Sequence, residues 1–393
     1  MVQQVRRSEY LGLLHEFKNV PSVMKVITGM RRCGKSTLLE QFMSDLKAEG
    51  VDESQIYYRR FDTFTGLAAI SSGDFQKEMR ELKKDQTKYV LLDEIQSVPH
   101  WELIAAALQA TGDFDIYLTG SNSDMLSGDL ATHIAGRYIE VRMLPLSFKE
   151  YLQFHPGEKE FRFEQYLRYG GLPDVDPELG DRFCRGCLEG VFNSVLVKDV
   201  LSRLKAEETG KLLSVTRFLY FNVGNVTNRA NIAKGSEVNS VTVERYLHGL
   251  VSAHLFYHAE RYDIVGKKLL SSKGKYYASD LGLRYVALDG SGVEDISRPL
   301  ENLVYLELLR RGYTVRVGSY KDHEVDFTAV KGESTEYYQV TQTMYSEDTR
   351  ERELRSLNQI KDNWSKTVLT LDRFGIGSAN GICIVNLIDW LLE

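Results

Sequence analysis

The rhythm of apolar and polar positions changes three times along this chain, and each change predicts a new kind of structure. Over residues 1 to about 145, short unbroken apolar runs alternate with stretches of helical period. KVITG, QIYYRRFD, KYVLLDE, FDIYLTGS and RYIEVRML are five strand candidates; apolar runs without alternation are what strands covered on both faces require. From Leu146 to Arg203 the period turns helical, in FKEYLQF, RFEQYLRY and a long segment ending in VLVKDVLSR, interrupted by the turn GGLP at Gly170 to Pro173. Residues 206 to about 290 give three helical patterns, LLSVTRFLYFNVGN, TNRANIAKGS and SVTVERYLHGLVSAHL. A two-stranded hairpin follows, from LFYHAERYDI and KLLSSKGKYYAS. The last hundred residues read as a helix (RPLENLVYLELLRRGY), strands TVRVGS, HEVDFTAV and EYYQVTQT, a helix in RERELRSLNQIKDNWSK, strand VLTL and a final strand and helix in GICIVNLIDWLLE. The expected fold class is therefore α/β, in segments 1–145, 146–205, 206–290 and 291–393.

Candidate chemistry concentrates in the first segment. Residues 29–36, GMRRCGKS, fit the phosphate-loop pattern G-x-x-x-x-G-K-[ST], between an apolar run and a helical one. Gly29 and Gly34 let the backbone curl; Met30, Arg31, Arg32 and Cys33 complete the cradle; Lys35 would reach the β/γ oxygens. Ser36 would ligate Mg²⁺, and Thr37 continues into the helix, whose N-terminus favours anions. YVLLDE delivers Asp93 and Glu94 to the end of a buried strand, where ligands bind in open α/β sheets. Asp93 would complete the Mg²⁺ shell, and Glu94 would orient and deprotonate water. Alone, such an acidic pair also reads as a helix cap.

The strand QIYYRRFD lies between the two motifs, so the phosphate-binding and acidic strands need not be neighbours. DIYLTG ends in Ser121-Asn122, where a polar side chain either senses the γ-phosphate or caps the next turn. Arg137, just before the fifth strand, is either an arginine finger for a neighbouring subunit or a surface residue. At GGLP, backbone and the ring of Pro173 could meet a purine.

At 393 residues, with 43% hydrophobic and 26% charged positions, the chain has the composition of a globular protein of several domains. No run approaches a membrane span, and MVQQVRRSEY lacks a signal peptide's apolar core, so a cytoplasmic location is expected. Cys184 and Cys187 form a lone C-x-x-C within a helical pattern, which favours packing over zinc. A net charge of −6 excludes a globally basic nucleic-acid binder but leaves room for a local one.

GMRRCGKST, LLDEIQSVPHWE, LTGSNSDML, AGR, LPLSFKEYL and YLRYGGLP, in this order, resemble the prokaryotic AAA+ ATP-binding proteins of the archaeal-ATPase type. The resemblance covers essentially the whole chain. It implies a P-loop NTPase (AAA+) domain with a helical lid, a winged-helix segment in relatives, and a C-terminal domain related to restriction-type, PD-(D/E)XK nucleases. It also implies ATP rather than GTP as ligand; a homo-oligomer is expected, a ring among its possible forms.

In the third helix of the 206–290 segment, Val243, Tyr246, Leu247 and Leu250 should face a core, leaving Asn239 to Thr242 and Arg245 for a DNA groove. Between Lys211 and Arg284 eleven Lys/Arg stand against five Asp/Glu, a balance of +6, with Arg261, Lys267, Lys268, Lys273 and Lys275 on the hairpin as expected phosphate contacts. In the last segment Glu301 and Asp326 match the nuclease helix glutamate and strand aspartate. Gln339-Val340-Thr341 stands where acid-x-lysine is needed, so nuclease chemistry is not expected. Asp372 follows a strand without a partner for a second metal. Two functions compete: an oligomeric ATPase working on DNA, and a nucleotide-dependent switch acting on a protein partner.

Overall fold

The computed structural model describes residues 5–82, 86–126, 136–204, 208–290, 295–321 and 323–393. The chain divides into two compact units: Met1–Met143 with Ser252–His254, and Leu144–Val251 with Leu255–Glu393.

The first unit is built on a five-stranded parallel sheet, β1 (Met24–Thr28), β2 (Ile56–Arg60), β3 (Tyr89–Asp93), β4 (Asp115–Gly120) and β5 (Tyr138–Arg142). The spatial order is β2-β3-β4-β1-β5, and all five strands fall on the expected segments. Inner strands β1, β3 and β4 are buried at every position, whereas edge strands β2 and β5 are mostly half-buried. Helices α1 (Ser8–Glu16), α2 (Lys35–Ala48) and Trp101–Thr111 accompany the sheet, over a core that includes Met24, Val26, Phe61, Leu92, Trp101 and Leu118. Because β4 separates β1 from β3, the C-terminal ends of all three open at one edge, the place where such sheets bind ligands.

The second unit begins with helices Phe148–Phe154, Lys159–Tyr169 and Asp181–Ser194, the last running on through a π-helical segment, Val195–Leu201. Ser147 and Glu150 close a capping box at the first of them. Cys184 is buried on the third, where its thiol donates to the Asp176 carbonyl and burial raises its pKa to about 11. GGLP gets its glycines from a close approach. A Cβ on Gly170, at φ +76°, would lie 2.1 Å from Asp280 Oδ1, and one on Gly171 2.4 Å from the Leu146 carbonyl. Asp280 Oδ2 accepts the Gly171 N–H at 2.7 Å, while Oδ1 caps helix Leu281–Ala287.

Helices Thr209–Phe221, Arg229–Ser236 and Ser240–Ser252 then precede the antiparallel hairpin β6 (Phe256–Asp263) and β7 (Lys268–Ala278), in the order expected for 206–290. Val243, Tyr246 and Leu250 are buried and Leu247 is half-buried. The hairpin does not stand alone. Arg261–Asp263 of β6 pair in parallel with Val317–Ser319 of β8 (Thr314–Tyr320), so hairpin and C-terminal strands form one eight-stranded sheet. Its remaining strands are β9 (His323–Lys331), β10 (Ser334–Thr341), β11 (Ser365–Thr370), β12 (Gly377–Ala379) and β13 (Ile382–Asn386), in the order β12-β13-β11-β10-β9-β8-β6-β7. The division expected at 290 therefore runs between paired strands. Edge strand β7 is covered by the Asn302 side chain, which both donates to and accepts from the Ala278 backbone, and by Thr227, which bridges Gly274. Asn302 lies on helix Ser297–Arg310. Among the described residues no helix is long and apolar enough to cross a membrane.

Candidate nucleotide site and a carboxylate cluster

The phosphate loop of the first unit runs from the end of β1 into α2. Gly29, at φ +152°, passes so close to the Met143 carbonyl that a Cβ would sit 2.3 Å from it. Gly34, at φ +102°, is the residue that turns the chain into α2, and the non-glycine Arg32 also adopts a left-handed conformation. Met30 and Cys33 are buried beneath the loop, and Arg7 braces it by donating to the Cys33 carbonyl at 3.1 Å. Ser36 and Thr37 are half-buried in the first turn of α2.

Lys35 is 4% exposed, and its ammonium donates to the loop's own carbonyls, Gly29 O (3.0 Å) and Met30 O (3.2 Å). It also stands 3.5 Å from Glu94 Oε1. Asp93 ends β3 fully buried. Its Oδ1 accepts from Thr119 Oγ1 (2.5 Å) and its Oδ2 from the Tyr58 hydroxyl (3.4 Å), with Arg60 Nε 3.8 Å away. Burial pushes the Asp93 pKa up; hydrogen bonds from Thr119 and Ser36 oppose this and the Glu94 charge adds to it. A buried carboxyl of this kind beside a serine hydroxyl fits a divalent cation, which would restore its charge, and the loop with Lys35 fits phosphate.

Glu94 departs from the strand in the left-handed region, at φ 56° and ψ 41°, its N–H donating to Thr119 Oγ1 at 2.8 Å. A non-glycine residue held there marks a position the surroundings over-determine. Its Oε2 accepts from Gln96 Nε2 at 2.5 Å. Ser121 and Asn122 are buried at the end of β4. His254, in the same unit, is buried, and burial aided by the charges of Arg142 and Lys35 lowers its pKa to about 3, so the ring is neutral.

Sequence reasoning brought together Lys35, Ser36, Asp93, Glu94 and the end of β4, and missed Tyr58, Arg60, Thr119 and Gln96. Arg60 had a signal: as the last residue of β2 it pairs in register with Asp93. Arg137 is exposed at the turn before β5, where its carbonyl accepts from Met24 N and Gln109 Nε2 while its side chain faces outward. Residues 133–135 of that segment lie outside the described residues, as do the first four of MVQQVRRSEY. Pro173 belongs to the second unit.

In that unit the structure corrects the reading of Lys275. Far from being a surface phosphate contact, its side chain is 3% exposed, because β7 turns that face toward helix Ser297–Arg310 and strand β9. The ammonium lies 2.8 Å from Glu301 Oε1, 2.8 Å from Glu324 Oε1 and 3.9 Å from Asp326 Oδ1, and the Tyr277 hydroxyl donates to Glu301 at 2.5 Å. Burial and the Glu301 charge hold Asp326 well above the usual carboxylate range, against the pull of Lys275. Gln339 is engaged by the backbone, its Oε1 accepting the Asp326 N–H. The residues present do not fit the metal centre that the nuclease resemblance implies. A lysine ammonium already fills the cation position, and among the described residues no group of three His, Cys, Asp or Glu could hold a metal ion. Arg261 is also half-buried, donating to Ser319 Oγ, while Lys267, Lys268 and Lys273 are exposed.

Residues 22–152 match the model of an AAA domain, and residues 160–294 that of a domain of unknown function (DUF8612). An uncharacterised protein of Haemophilus influenzae is 38% identical over 404 residues, spanning 99% of both chains. One of Methanocaldococcus jannaschii is 29% identical, over 88% of this chain and 81% of its own. Among solved structures, the replication initiator DnaA bound to AMPPCP and single-stranded DNA aligns with 64% of this chain and 89% of its own at 15% identity; its TM-score of 0.35 is too low to carry weight. The chain thus belongs, along essentially its whole length, to the family of the Haemophilus influenzae protein, with an AAA domain holding its phosphate loop.

Proposed function

We propose that this protein hydrolyses ATP with Mg²⁺ and couples turnover to contact with DNA. The observation that carries the ATPase reading is the convergence of Lys35, Ser36, Asp93 and Glu94 at the C-terminal edge of one parallel sheet. Lys35 exchanges its two loop carbonyls for β/γ-phosphate oxygens. Ser36 and Asp93 would hold the ion, which would supply charge neutralisation for phosphoryl transfer. Glu94, 3.5 Å from the lysine, orients the attacking water and takes its proton, and Asn122 steadies that water from the end of β4. Arg137, exposed on a braced turn, is assigned to the site of a neighbouring copy.

What favours DNA over a protein partner is the local charge. Lys267, Lys268 and Lys273 remain exposed, and Lys273 with His258 and Tyr276 lines a cavity of about 580 Å³ between helices and hairpin, where Arg229 is ion-paired to Glu244. Cations beside aromatic rings suit a phosphate backbone and its bases. The test is phosphate release with and without duplex and single-stranded DNA, beside DNA-binding titrations at several salt concentrations. Glu94→Gln should retain ATP and stop turnover. Undiminished hydrolysis by that variant removes Glu94 as the base, and a parent rate indifferent to both DNAs, without salt-dependent binding, removes the coupling.

A further inference from the structure

Gln96 has no part in the reading above, yet it touches the centre of the site. It lies in the short 3-10 turn Ile95–Ser97 that follows Glu94. Its Nε2 donates to Glu94 Oε2 at 2.5 Å and reaches Ser121 Oγ at 3.4 Å, so one amide joins the acidic end of β3 to the end of β4. Its Oε1 is shielded from solvent and has no hydrogen-bond partner among the described residues. That oxygen packs against Gly120, where a Cβ would come within 2.8 Å of it.

The Glu94 carboxylate is thereby held at both oxygens, one by the Gln96 amide and the other 3.5 Å from Lys35. The two restraints differ in kind. Lys35 is a mobile cation that phosphate oxygens compete for, whereas Gln96 is neutral and anchored two residues along the same turn. Once Lys35 turns to phosphate, Gln96 is what keeps the carboxylate from swinging about its own side-chain torsions. A carboxylate accepts only, so the amide must present its N–H₂ to Glu94, and the buried oxygen is the consequence.

We propose that Gln96 is a positioning residue for ATP hydrolysis, fixing the Glu94 carboxylate in the orientation from which it meets the attacking water and registering it against Ser121. This rests on the reading of Glu94 as the base. Misplacing a catalytic group by about 1 Å costs on the order of 100-fold in rate, so the effect belongs in kcat and leaves nucleotide affinity alone.

The test uses the full chain with Gln96→Met, close in shape but without a donor, and Gln96→Glu, equal in size but with an acceptor facing Glu94. Steady-state ATPase kinetics and titration with a fluorescent ATP analogue are read for each. Both variants should lose roughly 10- to 100-fold in kcat with the parent's affinity for the analogue. In a Glu94→Gln background, Gln96→Met should change the residual rate no further, since residues acting as a unit are not additive. A kcat equal to the parent's in Gln96→Met overturns the proposal, as does full additivity in the double variant. If Glu94→Gln itself hydrolyses ATP, the reading of the base has failed instead, and the two failures are told apart by that single control.

Discussion

Lys275→Met is the perturbation whose outcome the structure predicts most sharply. It removes the cation from a nest of three carboxylates while keeping most of the side chain's volume. Lys275 is 3% exposed and Glu301 13%, so solvent can take over little of that pairing, although Glu324, equally close, is 36% exposed. Breaking a buried ion pair by deleting one partner costs about 3–5 kcal/mol. For a unit of about 250 residues each kcal/mol moves the melting point by roughly 2–4 °C, so the expected fall is about 6–20 °C.

The deficit should also depend on pH, and the sign follows from Asp326. Its carboxyl is held above its ordinary value by burial and by Glu301, so its contribution to stability is full below its unfolded pKa and lost as pH rises through the raised folded one. Removing Lys275 takes away the influence that held this rise in check. The variant should therefore be least stable at alkaline pH and recover on acidification. Thermal melts of parent and variant across pH, read by circular dichroism, measure both effects. A melt superimposable on the parent's at pH 8 would refute the reasoning, and so would a deficit that grows on acidification.

Arg137→Ala should reduce ATP hydrolysis without weakening ATP binding, and mixing it with Lys35→Ala chains should restore activity if the arginine acts in a neighbour's site; an unchanged rate makes it a surface residue. Replacing Lys267, Lys268 and Lys273 together by Ala should weaken DNA binding and flatten its salt dependence by about 0.9 per lost phosphate contact, measured by anisotropy. Asp280, pushed up to about 6 by burial, gives stability that is complete below about pH 4 and lost as pH rises through about 6. The stability gap between the parent and Asp280→Asn, followed by thermal melts, should therefore narrow between pH 5 and 7.5 by an amount on the order of 1.5 kcal/mol, and a constant gap would exclude this.

The inner strands of the first unit were legible because strands covered on both faces are mostly apolar, and β1, β3 and β4 are buried at every residue. The phosphate loop and the acidic pair were legible for a related reason: their roles depend on local backbone shape and on the end of a strand. Lys275 was not. A lysine in KGKYYAS reads as solvated until its neighbours are known, and those neighbours, Glu301, Glu324 and Asp326, come from other elements. Its register did carry a hint, since Lys275 shares a strand face with buried Tyr277. Gly170 of GGLP was equally opaque, because Asp280, which it makes room for, lies over a hundred residues away. Gln96 was in plain view within DEIQ, but only the left-handed turn at Glu94 folds it back onto the carboxylate.

The pairing of β6 with β8 bears on how the polypeptide behaves when it is severed. Covalent continuity between hairpin and C-terminal strands is redundant with three kinds of lateral attachment: a parallel ladder, the Asn302 clamp on Ala278 and the Lys275 ion nest. A peptide break between 290 and 297 should thus leave a nicked but intact particle on gel filtration. Two separately expressed pieces, ending at 290 and starting at 295, should complement each other into it.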